Sequence, residues 1–167
     1  GDETPWQIAR DDSRYPLGLL LEAADAVGRK DAQERQRQWL RDPHDAVRYW
    51  AVTDLFARET LTKADIQALR EVLQDSSTII RVEAASALAR QGETGEALPV
   101  LTAALRSESV ETRLHAARAL ELAGAVAIPA REAMKSALDA AREAEKSGDT
   151  FSMFIRFSLE AALRRED

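Results

Sequence analysis

Residues 73–92 read LQDSSTIIRVEAASALARQG: a leucine that ends one helix, a short polar turn, an Ile-Arg pair, and an alanine-rich amphipathic helix. The pattern occurs three more times. Residues 40–58 read LRDPHDAVRYWAVTDLFAR, residues 105–124 read LRSESVETRLHAARALELAG, and a more diverged copy, SGDTFSMFIRFSLEAAL, covers residues 147–163. The recurring arginine falls at Arg48, Arg81, Arg113 and Arg156, at intervals of 33, 32 and 43 residues. Two near-equal steps of this length mark a stack of helical hairpins, none of which can bury its apolar face alone.

The second helix of each hairpin carries a stripe at helical spacing: Val47, Ala51 and Leu55; Ile80, Ala84 and Leu88; Thr112, Ala116 and Leu120; Ile155, Leu159 and Leu163. Recurrence at every fourth position places each set on one face, so the stripe is core. First helices are expected near residues 63–74, 93–106 and 128–146, with Leu69, Val72, Leu73, Leu98, Leu101 and Leu105 turned inward. No strand-like alternation occurs. The expected fold is all-α, a right-handed α-solenoid in which pairs of about 15–41, 42–60 with its neighbours, 62–92, 93–124 and 128–166 form one domain over 15–167.

Residues 1–14 read as an arm or linker. Pro5 opposes early helix, and Trp6 and Ile8 are the only large apolar residues there. Pro16 then opens a helix whose Leu17, Leu20, Leu21, Ala24 and Val27 recur at three and four, and Gly28 stops it. Asp31 with Glu34, and Thr62 with Asp65, have capping-box spacing. The longer third interval places its excess in EAMKSALDAAREAEKSGD, residues 132–149, expected as a solvated helical extension, with a docking surface as the alternative.

Composition bounds the chemistry. The net charge of −6 repels phosphate backbones, so nucleic acid is not an expected partner. There is no cysteine, which removes thiolate nucleophiles and thiolate metal sites. Apolar runs such as residues 16–21 fall well short of the roughly 20 residues a membrane span needs, so no membrane role is expected. His44 and His115, the only histidines, sit in different repeats and registers, one in a turn and one on a helix surface. No catalytic, cofactor-binding or metal residue is expected, and no cofactor.

Two groups of residues stand out. The turn residues Asp42, Asp75 and Asp149, with Arg48, Arg81, Arg113 and Arg156, suggest a structural ladder of capping aspartates and reaching arginines, weakened where Ser107 replaces Asp. Arg81→Leu is then expected to lower thermal stability. The second group is a column two residues past each arginine, Trp50, Glu83, His115 and Ser158, leaning toward the inner surface where solenoids bind. Phe151 and Phe154 are a further candidate surface, although filling beneath the long helix is the preferred reading, and Phe157 aligns with the core column of Tyr49, Val82 and Leu114.

The turn followed by V-R-x-x-A-x-x-x-L over about residues 31–163 resembles HEAT-like repeats. More narrowly, PWQIARDDSRYPLGLLLEAADAV at residues 5–27, followed by LRDPHDAVRYWAV, resembles the C-terminal helical region of some bacterial sulfatases. That resemblance implies a non-catalytic module for protein–protein interaction or domain packing, with a protein partner or an upstream catalytic domain. The formylglycine motif is missing, so no catalytic or calcium-binding residue carries over. Location follows the parent: extracytoplasmic or periplasmic with an exported sulfatase, otherwise cytoplasmic. The alternatives are a free-standing HEAT-type binding scaffold or a HEAT-frame enzyme of bilin lyase-like or DNA-glycosylase-like kind.

Overall fold

The computed structural model describes residues 16–164. The expected arm, with Trp6 and Ile8, lies outside them. Helices follow one another with no strand among the described residues: α1 Leu17–Asp25, α2 Gln33–Trp39, α3 Asp45–Ala57, α4 Lys63–Val72, α5 Thr78–Arg90, α6 Thr94–Ala104, α7 Val110–Ala123, α8 Arg131–Lys146 and α9 Ser152–Arg164. Short 3-10 segments at Lys30–Ala32 and Gly124–Ala130 precede α2 and α8. The architecture is an all-α solenoid of helical hairpins. The chain forms two compact units, one ending at Ala68 and the other beginning at Leu69 within α4.

In the first unit α3 packs against α1 and α2. Val47, Ala51 and Leu55 are buried as their spacing requires. The buried face of α1 differs from the expected one. Leu20, Ala23 and Ala26 are buried, whereas Leu17 and Leu21 are exposed. Gly28, at φ +80°, closes α1 and donates its N–H to Asp54 Oδ1 at 2.8 Å.

Only one of the two expected capping boxes forms. Thr62 N donates to Asp65 Oδ2 at 3.0 Å while Asp65 N donates to Thr62 Oγ1 at 3.2 Å, the reciprocal arrangement that satisfies two free amides at a helix start. Asp31 instead lies in the 3-10 turn and receives Arg29, and Glu34 pairs with Arg37. The guanidinium of Arg29 holds the Asp31 carboxyl below its ordinary range. A charged partner nearby wins over a main-chain amide here because α2 begins after a 3-10 turn rather than from an extended cap.

Asp65 has a second role. Its buried carboxylate accepts from Arg37 Nη1 at 3.0 Å and lies 3.5 Å from Arg58 Nη1, and Arg58 Nη2 also bonds to the fully buried Asp54. Burial pushes the Asp65 carboxyl up, but the hydrogen bonds from Thr62 and Arg37 and the Arg58 charge outweigh it and hold the group below its usual range.

In the second unit α5 packs against α6 and α7, α7 packs against α9, and α8 packs against α9. Ile80, Ala84, Leu88, Thr112, Ala116, Leu120, Ile155 and Leu159 are buried, and Leu163, near the end of α9, is half-buried. The long third interval is taken up in two places, not one. Helix α8 has 16 residues against 11 in α6, and the seven-residue 3-10 segment stands where three residues join α5 to α6. The end of α8 is tied down rather than free: Arg156 Nε donates to Glu145 at 2.8 Å and Arg142 donates to Glu160 at 3.1 Å.

Three of the recurring arginines reach main-chain carbonyls of the turn, and Arg81 Nη2 donates to Thr78 Oγ1 at 2.8 Å as well. Arg48 Nη1 donates to the carbonyls of Asp42 and Pro43, Arg81 Nη1 to those of Asp75 and Ser76, and Arg113 Nη1 to those of Ser107 and Glu108, at 2.6–3.2 Å. Each turn Asp meanwhile accepts from an amide two residues on: His44 N for Asp42, Ser77 N for Asp75, Phe151 N for Asp149. Ser107 accepts the same bond from Ser109 N at 3.3 Å, so its hydroxyl takes the place of the carboxylate through a longer bond without the charge. Arg156 departs from the series and binds Glu145 and Glu160. Arg81→Leu strands two turn carbonyls and is expected to lower stability by about 1–2 kcal/mol. A chemical melt checks this, and an unchanged midpoint would remove the arginine from the frame.

Candidate functional site

On the second unit, α7 and α9 lie side by side and leave a groove of about 620 Å3 between them. Leu114, His115, Arg118 and Glu121 line it from α7, and Phe154, Phe157, Ser158 and Ala161 from α9. The local cause is helical spacing. Ser158 and Ala161 are small and leave space, while Phe154 and Phe157, three apart, stand on the same side of α9.

The phenylalanines are not packed as expected. Phe151 is 59 % exposed, and Phe154 and Phe157 are each 49 % exposed. Met134, Leu138, Ala141, Ile155 and Leu159 supply the buried residues of the α8–α9 pair, so Phe151 and Phe154 are not the filling under α8. Phe157 also leaves the core column. Val82, its counterpart in α5, is buried, and Leu114 in α7 is half-buried, but α9 is the final described helix and its own outer side carries no later hairpin among the described residues. Arg156 covers part of the Phe157 ring, with its guanidinium carbon 4.4 Å from the ring centre.

Two ion pairs edge the groove. His115 Nδ1 lies 2.5 Å from Glu83 Oε1, which reaches across from α5, and Arg118 Nη1 lies 2.6 Å from Glu121 Oε2 on its own helix. In each pair the cation is the more exposed member: 36 % for His115 against 19 % for Glu83, and 56 % for Arg118 against 12 % for Glu121. The groove therefore shows solvent an apolar wall edged by the His115 ring and the Arg118 guanidinium.

The Glu83 hydrogen bond raises the His115 pKa above its ordinary value, against the smaller opposing effect of burial. The sign follows directly. A raised folded pKa adds stability that is complete below the unfolded value near 6.5 and is lost as pH rises through the folded value. Glu83→Gln is expected to return His115 toward its ordinary pKa. An NMR titration of the ring protons checks it, and an unchanged pKa would disprove the pairing.

The structure thus brings Glu83, His115, Ser158 and Phe154 to one face and adds Leu114, Arg118, Glu121 and Phe157 to them. Phe151 is exposed but does not line the groove. Trp50 belongs to the first unit, where it is half-buried with its ring edge-on to Tyr49 at 5.8 Å. One signal for the missed residues was present in composition: three of the four phenylalanines fall within residues 151–157, more than one buried stripe needs. The His44 ring, by contrast, is held by Asp42 at 2.9 Å in its turn.

Other hollows are lined differently. A cavity of about 360 Å3 lies along Ala133, Ala137, Ala140 and Ala144 of α8, where methyl groups are too short to fill the space toward Leu105 and Ile155. Among the described residues no group of His, Asp or Glu is arranged to hold a metal ion, and no helix is long and apolar enough to cross a membrane.

Stacked hairpins with a repeated buried stripe and an open inter-helix groove define a helical repeat scaffold. The comparison with known families agrees with this class: a family model described as HEAT repeats matches residues 66–148, so that part of the chain is similar to HEAT repeats. No curated protein and no solved structure is found to match.

Proposed function

We propose that the chain is a non-catalytic binding scaffold that holds a protein partner on the α7–α9 face. The observation that carries this reading is the cluster of half-exposed Phe154 and Phe157 beside a preformed groove. Large aromatic side chains left at the surface lose hydrophobic stabilisation that a partner restores, and such residues are enriched where proteins meet. Resemblance of residues 5–27 and 40–52 to the C-terminal region of some bacterial sulfatases suggests the partner: the catalytic domain of a sulfatase-like hydrolase. HEAT-like repeats suit this work because stacked hairpins offer a long rigid surface without a reacting group.

The test is hydrogen exchange on the purified chain, alone and with the sulfatase-like catalytic domain encoded nearest to it. Protection of residues 152–161 and 114–121 is expected. Protection confined to other helices would overturn the placement, and aryl-sulfate turnover that follows this chain through purification would overturn the non-catalytic reading.

A further inference from the structure

We propose that the α7–α9 groove takes an acidic amphipathic segment of its protein partner, one large apolar side chain seating against Phe154 and Phe157 and one carboxylate meeting Arg118. This rests on the scaffold reading above and specifies the chemistry of the occupant. The apolar half of the argument comes from the wall. Leu114, Phe154, Phe157 and Ala161 line the groove, and the two rings are each 49 % exposed. An incoming Leu, Phe or Trp would bury them together with itself, which is how anchor residues gain affinity.

The charged half comes from the asymmetry of the two ion pairs. Both carboxylates, Glu83 and Glu121, are turned inward and engaged, while the His115 ring and the Arg118 guanidinium form the solvent edge. Arg118 is the most exposed charge in these pairs, at 56 %, and a guanidinium offers a planar fork of N–H donors matched to a carboxylate. A basic segment would face this edge with like charge, although the chain as a whole carries −6. Local charge, not net charge, selects the partner, because exposed charges farther apart than roughly 10 Å are screened at ordinary salt.

Spacing supports a helical or extended segment rather than a small molecule. The groove is open along its length, with Leu114 and Arg118 one turn apart on one wall and Phe154, Phe157 and Ala161 spanning two turns on the other. An apolar anchor and an acidic residue three or four positions away on a partner helix would meet the Phe wall and Arg118 together.

The experiment pans a display library of random twelve-residue peptides against the full chain. Enriched peptides are then measured by fluorescence polarisation against the native chain, Phe157→Ser, Arg118→Gln and Arg118→Glu, each first checked for native helicity. Enriched sequences are expected to place Asp or Glu three or four residues from a large apolar residue. Phe157→Ser and Arg118→Gln should each weaken them by about tenfold or more, as loss of an anchor or a charge-assisted bond does. Arg118→Glu should reject them and accept the same peptides with Lys in place of the acid. Neutral or basic enriched peptides that still depend on Phe157 would overturn the acidic occupant and leave the scaffold reading intact. Peptides indifferent to Phe157, or no enrichment, would overturn both.

Discussion

Arg58→Met is expected to destabilise the first unit by about 3–5 kcal/mol, the cost of removing one partner from a buried ion pair. The reason is geometric. Asp54 and Asp65 are both fully enclosed, Arg58 Nη2 bonds to Asp54, and Arg58 Nη1 lies 3.5 Å from Asp65 Oδ2. With Arg58 gone, Asp65 retains Arg37 and Thr62, but Asp54 keeps only the Gly28 amide among the bonds described above. A carboxylate buried beside one neutral donor either takes a proton or draws water in, and both routes oppose folding. Urea denaturation reads the loss, and a loss of unfolding free energy below about 1 kcal/mol would show that the cluster is solvated in solution.

The same cluster has a pH signature. The Asp65 carboxyl is held below its ordinary value of 3.8, so its contribution is present above that value and is lost as pH falls through the lower folded value. The His115–Glu83 pair has the opposite sense, losing its contribution as pH rises. The Asp65 contribution is therefore expected to fade toward low pH and the His115 contribution toward high pH.

Leu120→Ala is the second large effect, expected at about 2–5 kcal/mol. Leu120 is fully buried in α7, and α7 packs on both α5 and α9, so a cavity there is felt by three helices. The packed pair is rich in alanine: Ala84, Ala85, Ala116, Ala117 and Ala119 are all buried within α5 and α7. Short side chains have no freedom to swing into a void, which places the site toward the costly end of the range. Thermal or urea unfolding measures the loss. If Leu120→Ala melted with the native chain, the buried stripe would not be what holds the hairpins together.

Much of the frame was legible in the chain. The stripe Val47, Ala51, Leu55 and its copies, half-buried Leu163 apart, is buried where the spacing said, because helical periodicity turns sequence distance into angle with no reference to anything outside the helix. The candidate face was partly legible. Glu83, His115, Ser158 and Phe154 came from one column and one aromatic run, whereas Phe157 was assigned to the core by analogy with Val82. That analogy fails because equivalence by repeat holds only while another hairpin follows, and α9 is the final described helix.

The turn arginines show why recurrence alone misleads about partners. Three copies place Arg48, Arg81 and Arg113 at the same offset from a polar turn residue, and an ion pair was the natural expectation. Spacing specifies that the guanidinium reaches the turn; it does not specify which acceptor there is aimed at it. The carbonyls of Asp75 and Ser76, presented together, take the donor, while the Asp side chain folds back on its own chain.

From its sequence alone this protein determined its helix content, its repeat length, the face each second helix buries and the residues that end each hairpin. These depend on dihedral preference and on a period of about 3.6 residues, both local properties of the chain. Only the tertiary structure decided that Arg37, Asp54, Arg58 and Asp65 share one enclosed cluster, that Glu83 reaches His115 across two helices, and that Phe154 and Phe157 wall an open groove. Those outcomes turn on the distance and rotation between separate helices, and a one-residue change of register, about 100° of rotation, would undo every one of them while leaving the repeat pattern unchanged.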